Sequence, residues 1–112
     1  MKTTVILINK YGIGHAEEAL QLTLVSKYLE LTLQNGTLPA AICFYAEGVK
    51  LVTEGSPVLT QLAALEKKGV RLIICSTCMN YLGLTEKLKV GIIGGMGDML
   101  EAQTKAEKVI TL

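Results

Sequence analysis

Charge is scarce in this chain, and neither sign prevails. Lys, Arg, Asp and Glu make up 19% of its 112 residues, against about 25% in an ordinary domain. Eleven basic residues meet ten acidic ones, for a formal net charge of +1. Proteins that bind nucleic acid gather basic side chains along one face. Here they are spread from Lys2 to Lys108, some of them beside acids, as in Glu66-Lys67-Lys68 and Glu86-Lys87. Nucleic acid is not expected among the partners.

Long apolar runs are missing as well. Met1-Lys2-Thr3-Thr4 is followed by only four strongly apolar residues, Val5 to Ile8, before Asn9 and Lys10. A secretory leader needs a longer apolar region, and a bilayer span needs about 20 residues. Neither is expected, so the predicted location is the cytoplasm, with no membrane contact. Cysteine occurs three times and histidine once, at His15. An odd cysteine count does not fit a fully disulfide-stapled domain. In a leaderless chain, thiols are kept for chemistry, metal or packing. No segment repeats at a fixed period, and none is low-complexity.

What the chain does have is apolar side chains, at 50% of residues. Its length fits one domain, residues 1–112. So much apolar material under so little charge predicts that another subunit covers part of the surface, as in a homo-oligomer.

Residues 4–8 form a continuous β-branched run without alternation, the pattern of a strand buried on both faces of a parallel sheet. Gly12 and Gly14 permit a tight turn after it. A helix is predicted over residues 15–34. Leu20, Leu24, Tyr28 and Leu31 form its apolar stripe, widened by Leu22, Val25, Leu29 and Leu33. Asn35-Gly36 stops it, and Pro39 bars its continuation. A second strand follows at residues 40–45, and residues 47–51 suit a turn or short helical piece. Ser56-Pro57 offers an N-cap followed by proline at the first helical position. That helix is expected to reach Lys68 and to bury Leu59, Leu62, Ala63 and Leu65. Residues 70–74 make a third strand, which leads straight into Cys75-Ser76-Thr77-Cys78.

A short helix is predicted at residues 78–82 and a fourth strand at 89–93. Gly94-Gly95-Met96-Gly97 turns the chain. Asp98 suits an N-cap, with Glu101 completing a capping-box pattern, for a helix over residues 99–104. Residues 109–112 close as a fifth strand. Strictly alternating strands and helices predict an α/β fold, a three-layer α/β/α sandwich around a five-stranded, mainly parallel sheet. Right-handed crossovers put every strand's C-terminal end on one edge. The loops at 12–14, 46–48, 75–78 and 94–97 then share one rim, where open α/β sheets bind ligands.

The chemistry is expected at the cysteine loop. Cys78 is read as standing where a helix begins, and exposed amides there stabilise a thiolate and lower its pKa. Such a thiolate can attack a sulfane sulfur and carry it as a persulfide. Cys75, at the strand end, can resolve or relay that sulfur as a disulfide, or serve only in packing. Ser76 and Thr77 can donate hydrogen bonds to the anion or cap the helix. Cys43, inside the second strand, reads as a small hydrophobe.

Rival readings are weaker. Zinc on Cys75, Cys78 and His15 would need a fourth ligand from Asp98, water or a neighbouring subunit. Structural zinc usually draws on a second pair of cysteines or histidines, and no metal is assigned. Gly12-Ile13-Gly14 lacks the third glycine of a dinucleotide fingerprint, and no Gly-Lys-Ser/Thr follows a glycine loop, so no cofactor is assigned. Tyr11, Tyr45 and Tyr81 lie near strand ends, where they can wall a pocket. The alternative from another class is a non-catalytic oligomeric domain that binds a ligand or protein, with quiet thiols.

With these residues in place, the chain resembles the DsrE-like superfamily, nearest the DsrE-like C-terminal domain of YedF-type proteins linked to selenium metabolism. The likeness covers nearly the whole chain. It includes the opening strand with its Gly12–Gly14 loop, Gly48-Val49-Lys50-Leu51 with Glu54-Gly55-Ser56, and Leu65-Glu66-Lys67-Lys68-Gly69-Val70. It continues through Cys75-x-Thr77-Cys78 with Tyr81 and Gly83-Leu84, and ends at Ala106-x-Lys108-Val109-Ile110. The resemblance implies an oligomeric domain that handles sulfur on the loop after the third strand, with Cys78 as carrier and Cys75 as its companion. It further implies sulfur-donor and sulfur-acceptor proteins as partners. The TusA-like domain that precedes this one in YedF-type proteins is not expected here, so a separate TusA-like protein would take that place.

Overall fold

The computed structural model describes residues 3–112. Met1 and Lys2, on which the leader expectation partly rests, lie outside the described residues. Five strands form one sheet: β1 (Thr4–Ile8), β2 (Ala41–Phe44), β3 (Arg71–Cys75), β4 (Ile92–Gly94) and β5 (Lys108–Thr111). Its order is β4-β3-β2-β1-β5, and every neighbouring pair is parallel. The helices are α1 (Glu18–Asn35), α2 (Leu59–Lys67), α3 (Ser76–Tyr81) and α4 (Met96–Lys105). A 3₁₀ segment, Ala46–Val52, follows β2, and a shorter one, Thr85–Lys87, follows α3. The α/β sandwich expected from the alternation is the fold found.

Register sorts the core into two layers. Ile6, Ile42 and Leu72 are aligned across the central strands, as are Ile8, Phe44 and Ile74. All six are buried, on the face where Ile6 shares a groove with Tyr28, Leu31 and Thr32 of α1. Val5, Ala41, Leu7, Cys43 and Ile73 point the other way, toward α4, whose Met99 and Ala102 are buried against them. β1 to β4 step in one direction, and the chain then returns to lay β5 beside β1. With right-handed crossovers, that reversal sends α4 to the opposite face.

The structure corrects several local expectations. α1 begins at Glu18 rather than residue 15, because Gln21 ties down the preceding loop. Its side-chain Oε1 accepts the Ala16 N–H at 3.0 Å, and its carbonyl accepts the Ile13 N–H at 3.1 Å. The buried face of α1 is Val25 and Leu29, flanked by half-buried Leu22 and Leu33. The expected stripe faces outward instead, with Leu20 50%, Leu24 38% and Leu31 56% exposed. Apolar residues surround this helix, so its period alone did not choose a face; packing on α2 did, pinned by a 3.0 Å hydrogen bond from Gln61 Nε2 to Ser26 Oγ.

α2 begins at Leu59, not Pro57; Ser56 Oγ instead accepts the Val58 N–H at 3.3 Å in the preceding turn. Ala63, expected inside, is exposed. β4 is shorter than predicted because Gly91 turns at φ +84°, its N–H bound to the Glu66 carboxylate at 3.0 Å. α4 starts earlier than predicted, with Gly95 as N-cap. Asp98 caps it from the third helical position, accepting the Gly95 N–H at 2.8 Å.

Candidate functional site

β3 passes into α3 without a loop. Cys75 is both the last strand residue and the N-cap of α3, and it is 1% exposed. Cys78 is the third residue of α3 and is half-buried. Met79, fully buried, anchors the helix, and the Leu84 N–H closes it by donating to the Met79 carbonyl at 2.9 Å. All three cysteines are free.

The opposite wall of the site is the 3₁₀ segment after β2. The Ala46 N–H donates to Cys78 Sγ at 3.1 Å. Ala46 has φ +49°, and it is the one non-glycine residue with positive φ among those described. Such a conformation is costly for a residue with a Cβ, and it persists only where its surroundings enforce it. They do so here at Gly48: a Cβ added there would collide with the Ile8 carbonyl, so the segment lies directly on the end of β1. The Tyr45 N–H donates to that same carbonyl at 3.1 Å, and the Gly48 N–H donates to the Tyr45 carbonyl at 2.9 Å. Asn9 Nδ2 reaches Tyr45 Oη at 3.3 Å.

Electrostatics here differ from the sequence expectation. A lowered thiol pKa was expected from helix-end amides, yet the Cys78 thiol is pushed upward. Burial is the main cause, a hydrogen bond with the Cys75 thiol adds to it, and the Ala46 N–H pulls the other way. α3 has only six residues, Cys78 lies within its first turn, and neither Ser76 nor Thr77 caps it. The amide that reaches the sulfur belongs to another segment. Cys43 is wholly buried in β2, as expected of a small hydrophobe; burial raises its pKa, with the Arg71 guanidinium opposing.

The rim expected from topology is partly assembled. Ala46 meets Cys78, while the β1–α1 loop and the 3₁₀ segment line a separate cleft of ≈390 Å³. Tyr11 and His15 line that cleft with Glu18, Gln21, Glu47 and Lys50, and Glu47 pairs with Lys50 at 2.9 Å. Tyr81, expected to help wall a pocket, is 90% exposed. Asp98 is engaged in capping α4. Among the described residues no three His, Cys, Asp or Glu side chains are gathered to hold a metal, so the set of Cys75, Cys78 and His15 is not brought together. Sequence reasoning missed Ala46, because its contribution is a backbone N–H; the only signal was its place on the rim.

Solved structures of similar shape span the chain. The YchN protein of E. coli shares 22% identity and a TM-score of 0.74, with 100% of each chain covered. A protein of unknown function from Methanobacterium thermoautotrophicum, MTH1491, shares 18% at a TM-score of 0.73, again over 100% of each chain. A conserved protein of unknown function from Bacteroides thetaiotaomicron, BT1422, shares 15% at 0.66, covering 97% of this chain and 94% of its own. At these identities the likeness is one of fold. No curated protein matches the sequence. The model of the DsrE/DsrF-like family matches residues 1–112. With its parallel sheet ending in a cysteine-bearing helix start, and with that match across its whole length, the chain belongs to the DsrE/DsrF-like family.

Proposed function

We propose that this protein is a sulfur carrier in which Cys78 alternates between a thiol and a persulfide. The observation that carries the reading is the seat of its sulfur: half-exposed at the sheet rim, 3.1 Å from a peptide N–H of a second segment. DsrE-like proteins as a family are linked to sulfur relay, which supports it. In loading, the Cys78 thiolate attacks the sulfane sulfur of a donor persulfide and the donor thiolate leaves. In unloading, an acceptor thiolate takes the outer sulfur and Cys78 leaves as thiolate. The Ala46 N–H favours that anion in both directions, because a hydrogen bond to the charged form stabilises it. The raised thiol pKa keeps the idle site mostly protonated, so loading is slow without a docked donor.

The partners on this reading are sulfur-donor and sulfur-acceptor proteins, a TusA-like protein among them, in the cytoplasm. A homo-oligomer fits the exposed leucines of α1 and the exposed Ile92 of β4 with Met96 and Leu100 of α4. The same residues favour the second reading, a non-catalytic oligomeric binding domain with quiet thiols. Incubation of the reduced protein with a persulfide donor separates the two. Mass spectrometry of the Cys78 peptide is expected to show one added sulfur atom. The absence of both an adduct and released sulfide with every one of several donors overturns the carrier reading.

A further inference from the structure

The two thiols of the site are unequal in a way that simple carriage does not use. Cys75 is 1% exposed, so no outside protein can collect sulfur from it. Both thiols are nevertheless free and sit at the start of the same short helix. As N-cap and third residue of one helix, the pair is spaced i, i+3. Helix geometry sets such Cα atoms about 5 Å apart, inside the window of roughly 4.4–6.8 Å that a disulfide tolerates.

We infer that Cys75 discharges the persulfide held on Cys78, releasing its outer sulfur as hydrosulfide and leaving a Cys75–Cys78 disulfide. This rests on the carrier reading above. Once Cys78 is loaded, its own Sγ becomes the inner sulfur of the persulfide, one helical turn from the Cys75 thiol. Cys75 gives up its proton and attacks Cys78 Sγ. The Sγ–Sγ bond forms, the bond to the outer sulfur breaks, and its electron pair departs with that sulfur, which takes up a proton. The sulfane sulfur is reduced to sulfide while the two cysteines are oxidised to a disulfide, so a single turnover needs no outside reductant. A dithiol reductant restores the pair for the next. Neighbouring thiols on one turn react at a high effective concentration, so a sulfur that no acceptor collects is released instead of stored.

The test loads the reduced full chain with glutathione persulfide under anaerobic conditions and removes the excess. Intact mass and free sulfide are then followed together, for the wild type and for Cys75→Ala, Cys75→Val and Cys78→Ser. The wild type is expected to lose its extra sulfur, yield equimolar sulfide and end two hydrogens lighter than the reduced protein, at a rate independent of protein concentration. The Cys75 variants should hold the adduct at least about tenfold longer. Equal adduct lifetimes in wild type and Cys75 variants overturn the release step and leave carriage standing. No adduct in the wild type or the Cys75 variants, with no sulfide from the wild type, overturns carriage itself. Should neither Cys75 variant fold, the wild-type trace decides, and sulfide without matching disulfide overturns the inference.

Discussion

The Ala46 N–H and Cys78 Sγ are 3.1 Å apart across two segments separated by 32 residues, and Ala46 holds that position in a left-handed conformation. Glycine adopts such a φ without a Cβ penalty, which for alanine is about 1–2 kcal/mol. Glycine also enlarges the entropy of the unfolded chain, by about 0.4–1 kcal/mol. Ala46→Gly is therefore expected to leave stability unchanged or raise it by up to about 1.5 kcal/mol, and to leave Cys78 alkylation unchanged. Ala46→Val places a β-branched residue at the same φ and should cost more than about 1 kcal/mol. Urea unfolding of both variants checks the sign. A stabilising Ala46→Val would contradict the strain.

Burial ranks the thiols. Cys78 is half-exposed, Cys75 is 1% exposed and Cys43 is wholly inside β2. A thiol reagent reaches the last two only when the chain opens, and opening the core costs most of the folding free energy. For a stability of about 5 kcal/mol, Cys43 should label at least about a thousandfold more slowly than Cys78 in the native protein. Peptide mapping after brief labelling reads the order. Early modification of Cys43 or Cys75 would overturn it.

Much of this was legible in the sequence, and the reasons for the misses are physical. The runs of Val5 to Ile8 and Leu72 to Ile74 have apolar residues on both sides of the strand, which only a sheet covered on two faces requires. The strand-to-helix passage at Cys75 followed from an apolar run that ends in polar residues. The face of α1 was not legible, because Leu20 and Leu24 are as apolar as Val25 and Leu29, and the choice depends on α2. The start of α4 was misplaced because Asp98 caps from inside the helix, where its sequence signal looks the same as an N-cap. Ala46 could not be found from residue type, since a backbone amide has none. The direction of the Cys78 pKa depends on burial and on Cys75, and both are properties of the packed chain.

The outward stripe of α1 leads to a prediction on assembly. Leu20, Leu24 and Leu31 are 50%, 38% and 56% exposed on one side of one helix, with half-buried Tyr28 between them. Contiguous apolar surface of this kind marks an interaction site. Leu24→Lys combined with Leu31→Lys should convert an oligomer to monomers in sedimentation at micromolar concentration. The monomer itself should lose no more than about 0.5 kcal/mol per site, because neither side chain belongs to the core. An unchanged sedimentation coefficient would move the interface elsewhere, with Ile92, Met96 and Leu100 as the next candidates.

Alkaline pH should weaken the fold through its thiols. Both Cys43 and Cys78 have pKa values raised above the ordinary thiol value, chiefly by burial. A group whose folded pKa exceeds its unfolded pKa binds its proton longer in the native state. Its contribution to stability is complete below the unfolded value and is lost as pH rises toward the folded one. Unfolding free energy is thus expected to be level near neutrality and to fall as pH climbs through and above the thiol range. Cys43, with no exposed surface and only the Arg71 guanidinium to favour its anion, should supply the larger part. Cys43→Val keeps an apolar side chain in β2 and removes the titrating group, so its urea midpoint should depend less on alkaline pH than that of the wild type. Parallel curves for the two proteins would mean that the Cys43 proton does not hold the fold, and that other groups govern its alkaline limit.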